Sequence, residues 1–138
     1  MSKSETRALI ERYYAGFNAG DSEAMAGCLA LDVVHDVNQG GERRIGRDRF
    51  AAFMARMHHH YDEQLSDVVI FVSDDGTRAA AEYNVTGVYN ATEDGLPPAR
   101  GQSYQLPGGA FFAVANGEIT RVTTYYNLTD WITQVMVE

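Results

Sequence analysis

Apolar side chains in the first part of the chain recur at the spacing of an α-helix. Leu9, Tyr13 and Phe17 fall on one face, and a repeat of this kind is typical of an amphipathic helix. Ser4 is the predicted N-cap of this helix, and Asn18–Gly20 is its predicted end. The pattern therefore predicts a first helix of about four turns.

Two further helices with a short strand pair between them are predicted next. A short second helix is expected to begin at Asp21, followed by a strand at Val33–Asn38, a turn at Gln39–Gly41 and a return strand at Glu42–Ile45. The third helix begins after Gly46. Its predicted inner face consists of large apolar side chains: Phe50, Phe53, Met54, Met57 and Tyr61.

After Tyr61 the repeat of apolar positions changes from 3.6 to 2 residues, which is the period of a β-strand. Asn116-Gly117 is the strongest hairpin signal, because both central residues of a type I′ turn need a positive φ. The pattern predicts four long antiparallel strands, at Leu65–Val72, Arg78–Tyr89, Tyr104–Ala115 and Glu118–Tyr126.

Three segments interrupt or follow these strands. Asn90–Gln102 contains Asp-Gly and Pro-Pro pairs and is predicted to be an irregular loop. Pro107–Gly109 predicts a bulge or a sharp bend, because proline cannot donate a hydrogen bond to a neighbouring strand. Trp131–Met136 is expected to form a last half-turn or a strand end.

The order of these elements predicts a single α+β domain over residues 1–138. Three N-terminal helices would pack on a strongly curved antiparallel sheet. The sheet would wrap around the helices as a cone with one open end. We therefore expect a cone-shaped α+β roll.

Composition and charge narrow the classes of partner. The chain has 19 acidic and 11 basic side chains and a net charge of −8. Nucleic acids and anionic membrane surfaces both require basic patches, so neither is an expected partner. Cys28, the single cysteine, excludes an intrachain disulfide and is interpreted as a small buried hydrophobic residue. No signal-peptide or membrane-spanning segment is recognised, and the expected location is the cytoplasm.

Polar side chains on apolar elements are the candidate site residues. Tyr13 shares the inner face of the first helix, where it either fills the core or donates a hydrogen bond to a ligand oxygen. His35, Asp36 and Asn38 form the densest polar group on a strand. An aspartate in an apolar pocket could remove a proton next to a carbonyl. The alternative is an edge strand whose polar face lies in water.

The run His58–His60 suggests a metal site at first sight. Three consecutive residues at the end of a helix point in three directions, and no acidic residue stands at a matching i, i+4 position. Imidazoles are also favourable at a helix C-terminus without any metal. We therefore expect no metal and no cofactor, and we expect only His58 to reach the cavity.

Three segments resemble the ketosteroid-isomerase-like, or SnoaL-like, branch of the nuclear-transport-factor-2 (NTF2-like) superfamily. They are Glu11–Asp21, where an aromatic stripe leads into N-A-G-D, Leu31–Asp36, and Gly117–Tyr126. The resemblance covers nearly the whole chain. It implies an NTF2-like fold and a homodimer formed through the outer face of the sheet.

The resemblance also implies roles for particular residues. Ketosteroid isomerases use an aspartate base and an oxyanion hole of one tyrosine and one protonated aspartate. The tyrosine carries over onto Tyr13 and the base onto Asp36, or onto His35 if the strand register slips by one residue. The second acid should lie near Ala110, but no Asp or Glu occurs from Arg100 to Gly117. The hallmark of steroid isomerisation is therefore incomplete.

These observations lead to one principal functional hypothesis and three alternatives. The principal hypothesis is a cofactor-independent isomerase or cyclase that abstracts and returns a proton on a small hydrophobic carbonyl compound, with Tyr13, Asp36 and His35 as catalytic candidates. The alternatives are a non-catalytic small-molecule-binding protein, a dimerisation module with a filled cone, and an epoxide hydrolase, which would need an Asp-Arg-Asp set. The expected substrate-binding residues are Phe17, Asn38, Phe53, Met57, His58, Phe112 and Tyr125.

Overall fold

The computed structural model describes residues 1–137, which fold into four helices and six strands. In chain order these are α1 (Lys3–Asn18), α2 (Ser22–Ala26), β1 (Leu29–Val37), β2 (Arg44–Ile45), α3 (Arg47–His60), β3 (Tyr61–Val72), β4 (Arg78–Tyr89), β5 (Gln102–Ala115), β6 (Glu118–Tyr126) and α4 (Leu128–Met136).

The six strands form one curved sheet in the order β2-β1-β6-β5-β4-β3. Strands β3 to β6 are antiparallel neighbours, whereas β1 runs parallel to β6. The sheet is open, with β2 and β3 at its edges. The predicted α+β fold with helices on a curved sheet is confirmed. The parallel β1–β6 pair was not anticipated from the sequence.

Helix α1 begins two residues earlier than predicted. Its N-cap is Ser2, whose side chain accepts a hydrogen bond from the Glu5 backbone N–H, and Glu5 in turn accepts one from the Ser2 N–H. These two bonds form a complete capping box, which satisfies N–H groups that a helix start leaves unpaired. The prediction of Ser4 as the N-cap was therefore wrong.

The end of the chain is helical, so the prediction of a half-turn or strand end at Trp131–Met136 was wrong. Asn127 caps helix α4 by accepting a hydrogen bond from the Asp130 N–H. Trp131 and Val135, four residues apart, are both buried. Side chains four positions apart lie on the same helix face, so α4 presents an apolar stripe to the sheet.

The Asn116-Gly117 turn is confirmed. Both residues have positive φ, at 53° and 78°, and the flanking residues Ala115 and Glu118 pair across the hairpin. Two consecutive positive φ values are the signature of a type I′ turn, whose twist matches that of the strands it joins. The hairpin places β5 and β6 at the centre of the sheet.

The bulge or bend expected at Pro107–Gly109 is absent from the β4–β5 ladder. Every residue from Gln102 to Ala113 pairs in register with β4. Pairing of β5 with β6 ends at Gly108, so Pro107 has a neighbouring strand on only one side. A missing N–H is tolerated at such a position. Register shifts occur instead between Ala113 and Val114 and between Ser66 and Val69.

Aromatic rings connect the helices to the concave face of the sheet. Phe112 on β5 is fully buried and contacts the rings of both Tyr13 and Tyr14 of α1, with ring centroids 5.7 and 5.9 Å away. At the other end, Trp131 of α4 packs edge-on against Tyr89 at 4.9 Å. Cys28 is buried, as expected. Within residues 1–137 no helix is long and apolar enough to span a membrane.

Gly87 allows one of these aromatic side chains to lie flat across the sheet. In the strand register Gly87 stands between Glu63 on β3 and Tyr104 on β5. A Cβ atom at position 87 would lie only 2.4–2.7 Å from the ring and hydroxyl of Tyr104. The absence of a side chain at Gly87 therefore creates the space that the Tyr104 ring occupies.

We predict that Gly87→Ala destabilises the protein by about 1–3 kcal/mol, the usual effect of overpacking a well-filled site. The measurement is the free energy of unfolding in urea. Gly27→Ala is the matched control, because a Cβ there would meet its nearest neighbours at 3.5 Å and Gly27 has a helical φ of −62°. Equal stability of the two variants would contradict this account of Gly87.

Candidate functional site

A cavity of about 490 Å³ lies between the helices and the concave face of the sheet. Side chains from α1, α3, α4 and five of the strands form its wall, and most of the wall is apolar or aromatic. A volume in this range is typical of small-molecule sites. Two ionisable side chains of the wall, His35 on β1 and Glu63 on β3, lie on strands near opposite edges of the sheet, and each is the centre of a group of residues.

The first group, here called the histidine cluster, consists of His35, Phe50, Phe53 and Tyr13. The His35 ring packs edge-on between the two phenylalanines of α3, with ring centroids 5.1 and 4.7 Å away. The Tyr13 ring also contacts Phe50, with ring centroids 6.2 Å apart. Both His35 and Tyr13 line the cavity, so the structure brings these two candidate residues to the same end of it.

The environment of His35 keeps its imidazole neutral. Burial lowers the pKa of His35 to about 4, and the nearby Arg44 guanidinium acts in the same direction, while Asp36 opposes them. Its Nδ1 atom is buried and has no hydrogen-bond partner among residues 1–137. Buried polar atoms without partners are uncommon in folded proteins and occur often at functional sites. A neutral imidazole can accept a proton.

Asp36 points to the other face of strand β1 and is absent from the cavity wall. Its carboxylate accepts two hydrogen bonds from the exposed Arg43 guanidinium, each 3.0 Å long. Successive residues of a strand face opposite sides of the sheet, so the inward position of His35 requires the outward position of Asp36. This placement keeps the Asp36 carboxylate out of the cavity that Tyr13 and His35 line.

Asn38 is also absent from the wall. It follows the last residue of β1, has a positive φ of 56°, and its side chain accepts a hydrogen bond from the Tyr126 N–H at 2.8 Å. A short polar side chain is well suited to such a left-handed position. Asn38 therefore serves the connection between β1 and β6 and does not face the cavity.

The remaining predicted binding residues divide into two sets. Phe17, Phe53, Met57 and His58 line the cavity. Phe112 is buried beneath the tyrosines of α1, and Tyr125 packs on Phe111 outside the cavity, at 5.8 Å. Alternation along β6 explains the position of Tyr125, because its neighbours Thr124 and Tyr126 face the cavity. Phe112 shares the concave face with the wall residues of β5, but the rings of Tyr13 and Tyr14 cover it.

The run His58–His60 shows no metal-binding geometry. His60 Nδ1 lies 2.8 Å from the Ala91 carbonyl oxygen, and His59 is exposed. No group of three or more His, Cys, Asp or Glu side chains in the described part of the chain could hold a metal ion. Only His58 of the three borders the cavity.

Two further tyrosines join the histidine cluster to the other end of the cavity. Tyr14 contacts Tyr13 at 5.2 Å and Tyr83 at 5.5 Å. Burial raises the pKa of both Tyr13 and Tyr14 well above the usual range, and it raises the pKa of Tyr83 to about 12. All three hydroxyls therefore remain protonated at physiological pH and are able to donate hydrogen bonds.

The second group, here called the glutamate cluster, consists of Glu63, Tyr104, Trp131 and Tyr61. The Tyr104 hydroxyl donates a 2.5 Å hydrogen bond to Glu63 Oε2. The Trp131 ring contacts both tyrosines, at 5.8 and 5.9 Å. Removal from bulk water raises the pKa of Glu63, partly offset by the Tyr104 hydrogen bond. Tyr61 donates a short hydrogen bond to Glu93.

Glu63 was missed in the sequence analysis because the third strand was started at Leu65. The strand begins at Tyr61, and alternation then places Glu63 on the same face as Tyr61 and Leu65. A carboxylate between two large apolar residues on one strand face is the signal that could have revealed it. The cavity wall contains no arginine within residues 1–137, which leaves the Asp-Arg-Asp set of an epoxide hydrolase unformed.

Comparison with known families agrees with this fold. The chain belongs to the SnoaL-like domain family, whose model matches residues 10–122. The match runs from within α1, through the strand carrying His35, and ends within β6. Among proteins of curated function, none matches this chain.

Solved structures of three bacterial proteins, each described as a "putative polyketide cyclase", are similar along almost their whole length. The protein from Xanthomonas campestris is 56% identical, with 96% of this chain and 98% of that chain covered and a TM-score of 0.92. The proteins from Silicibacter sp. and Pseudomonas putida are 56% and 52% identical, with TM-scores of 0.93 and 0.92 and 98% of both chains covered.

A more distant structure shares only the fold. The Mycobacterium tuberculosis protein described as an LEH-like epoxide hydrolase is 18% identical, with a TM-score of 0.76 over 97% of this chain and 86% of that chain. Together the comparisons confirm the SnoaL-like, NTF2-like resemblance noted in the sequence.

The lowered pKa of His35 predicts acid sensitivity. A histidine whose pKa is lower in the folded protein stabilises the fold above its unfolded pKa, near 6.5, and loses that contribution as the pH falls toward 4. The difference between 6.5 and about 4 corresponds to roughly 3 kcal/mol. The free energy of unfolding should therefore fall less steeply for His35→Gln than for the wild type over this range.

Urea unfolding at pH 4, 5, 6 and 7 measures this difference. His59→Gln, at an exposed position near the end of α3, is the control and should reproduce the wild-type pH dependence. Parallel curves for the wild type and His35→Gln would show that the histidine is not held neutral by the fold.

Proposed function

We propose that the protein is a cofactor-independent isomerase or cyclase that acts on a small hydrophobic carbonyl compound by proton abstraction and return. The observation that carries this proposal is a neutral imidazole, His35, in the wall of a largely apolar cavity that Tyr13 also lines, with both rings in contact with Phe50. The similarity to proteins described as polyketide cyclases supports the same class of reaction.

In the proposed reaction His35 is the base and Tyr13 the hydrogen-bond donor. The imidazole removes a proton from the carbon next to the carbonyl, and the electron pair moves to the carbonyl oxygen. The Tyr13 hydroxyl, which makes no hydrogen bond to another residue among 1–137, is free to stabilise that oxygen. The imidazolium then returns the proton to the same or a second carbon, so no redox partner or cofactor is consumed.

The apolar surroundings contribute to both steps. Water competes poorly for hydrogen bonds in such a cavity, so a single positioned donor stabilises a developing negative charge more strongly than it would in water. Phe50 and Phe53 of α3 both contact the His35 ring edge-on and restrict its orientation. A base that is already neutral and oriented needs no rearrangement before it accepts the proton.

A non-catalytic binding protein is the second candidate function. It is favoured by the absence of an acidic residue from Arg100 to Gly117, where ketosteroid isomerases carry their second oxyanion acid. The cavity would then hold the ligand without converting it. Exchange of a ligand's carbon-bound protons with solvent separates the two functions, because a pure binding protein does not remove those protons.

The test uses cyclic enones and β-diketones in D₂O, with deuterium incorporation at the carbon next to the carbonyl followed by NMR. We expect the protein to accelerate incorporation into at least one compound that also raises its melting temperature. Ligands that raise the melting temperature without any accelerated exchange would contradict the catalytic proposal and favour the binding protein.

Substitutions at the histidine cluster should reduce this exchange. We expect His35→Gln and Tyr13→Phe each to lower the exchange rate by a factor of about 10²–10⁴, the usual contribution of a general base or a positioned donor. The stabilisation by the ligand should be retained in both variants, since each removes few contacts.

Asp36→Asn is the control variant, because the sequence also predicts Asp36 as a candidate base. Its carboxylate contacts Arg43 outside the cavity, so this variant should exchange at close to the wild-type rate. A large loss of exchange in Asp36→Asn, with none in His35→Gln, would show that Asp36 and not His35 is the base.

We also propose a homodimer formed through the outer face of the sheet. Phe71 on β3 and Phe111 on β5 are large apolar residues that remain 53% and 52% exposed on strands of the sheet. Apolar side chains of this size on a sheet face are typical of protein–protein contacts.

Sedimentation equilibrium of the wild type and of Phe111→Ser tests the dimer. The substitution removes an exposed apolar side chain from this face and should weaken the association.

A further inference from the structure

The end of the cavity formed by the glutamate cluster is acidic, aromatic and not used by the proposed proton transfer. Glu63 and Asp62 are the acidic residues of the cavity wall, and no Lys or Arg among residues 1–137 borders it. No basic side chain in the described part of the chain lies within ion-pair distance of Glu63, Asp62 or Glu93. This end of the cavity therefore lacks a cation.

One carboxylate oxygen remains available to a ligand. The Tyr104 hydroxyl donates its hydrogen bond to Glu63 Oε2, whereas Glu63 Oε1 accepts no hydrogen bond from residues 1–137. Gly87, lying between these two side chains in the strand register, leaves the room that allows Tyr104 to reach the carboxylate. Three adjacent strands thus hold Glu63 in one position.

Aromatic side chains lie close to this carboxylate. Tyr61, Tyr104 and Trp131 of the cluster, together with Tyr83 and Tyr126, all line the same cavity. The faces of such rings attract cations, and an aromatic enclosure with one carboxylate is a recurring way to bind ammonium groups. A neutral or anionic group would find no complementary charge here.

We propose that the glutamate cluster is a binding subsite for the protonated amine of a ligand, with Glu63 as the counter-ion and the rings of Tyr61, Tyr104 and Trp131 as its walls. The inference rests on the proposed function in one respect, since it assigns the substrate a basic nitrogen at the end opposite its reacting carbonyl. An ammonium group here would also stabilise the ionised form of Glu63, which burial otherwise disfavours.

The test compares three probes of similar size and different charge at pH 7.5: 2-phenylethylamine, 2-phenylethanol and 3-phenylpropanoate. Their affinities are measured by isothermal titration calorimetry. We expect the ammonium compound to bind at least about tenfold more tightly than the alcohol, and the carboxylate to bind more weakly than both.

Glu63→Gln keeps the shape and an oxygen acceptor for Tyr104 while removing the charge. It should reduce the affinity for 2-phenylethylamine to that for the alcohol and leave the affinity for the alcohol unchanged. Glu11→Gln makes the same change of net charge at an exposed position of α1 and should retain the full preference for the amine. The retained alcohol affinity shows that Glu63→Gln is folded.

Equal affinities of the wild type for the amine and the alcohol would overturn the subsite, as would a preference that survives in Glu63→Gln. Neither result bears on proton exchange by His35, which is measured separately with neutral carbonyl compounds. Conversely, a preference for the amine in a protein that exchanges no carbon-bound proton would establish the subsite and reject the isomerase.

Discussion

The structure depends on aromatic packing between the helices and the concave face of the sheet. Phe112 of β5 packs against Tyr13 and Tyr14 and holds α1 on the sheet. Trp131 packs against Tyr89 of β4 and holds α4 on the sheet. These rings are stiff and large, so they separate the layers by more than aliphatic side chains would. The space between these two sets of ring contacts is the cavity, and aromatic and aliphatic side chains form most of its wall.

The same packing accounts for the chemistry. Burial acts in opposite directions on the two ionisable groups, because it disfavours the charged form of each: it lowers the pKa of His35 and raises the pKa of Glu63. Burial therefore keeps the imidazole neutral. It also disfavours the ionised form of the Glu63 carboxylate, which has no cationic partner among residues 1–137.

Much of the fold could be predicted from the sequence, because helical and strand periodicity and the Asn116-Gly117 turn are local signals. The site could be predicted only in part. The direction of His35 and Asp36 depends on the pairing of β1 with β6, from residues almost 90 positions apart, and no local pattern encodes it. Glu63 precedes Leu65, the strand start inferred from apolar residues alone, so it was not assigned to the strand. Asn127, which caps α4, follows a long strand and was not recognised as a helix start.

The central claim is that a carbonyl ligand is held between Tyr13 and His35, and its most direct test is a crystal structure with a bound carbonyl compound. The account predicts the carbonyl oxygen within about 2.6–3.2 Å of the Tyr13 hydroxyl, with the adjacent carbon facing the His35 ring. A ligand that lies in the cavity with its carbonyl away from both residues, or that binds only outside the cavity, would contradict it.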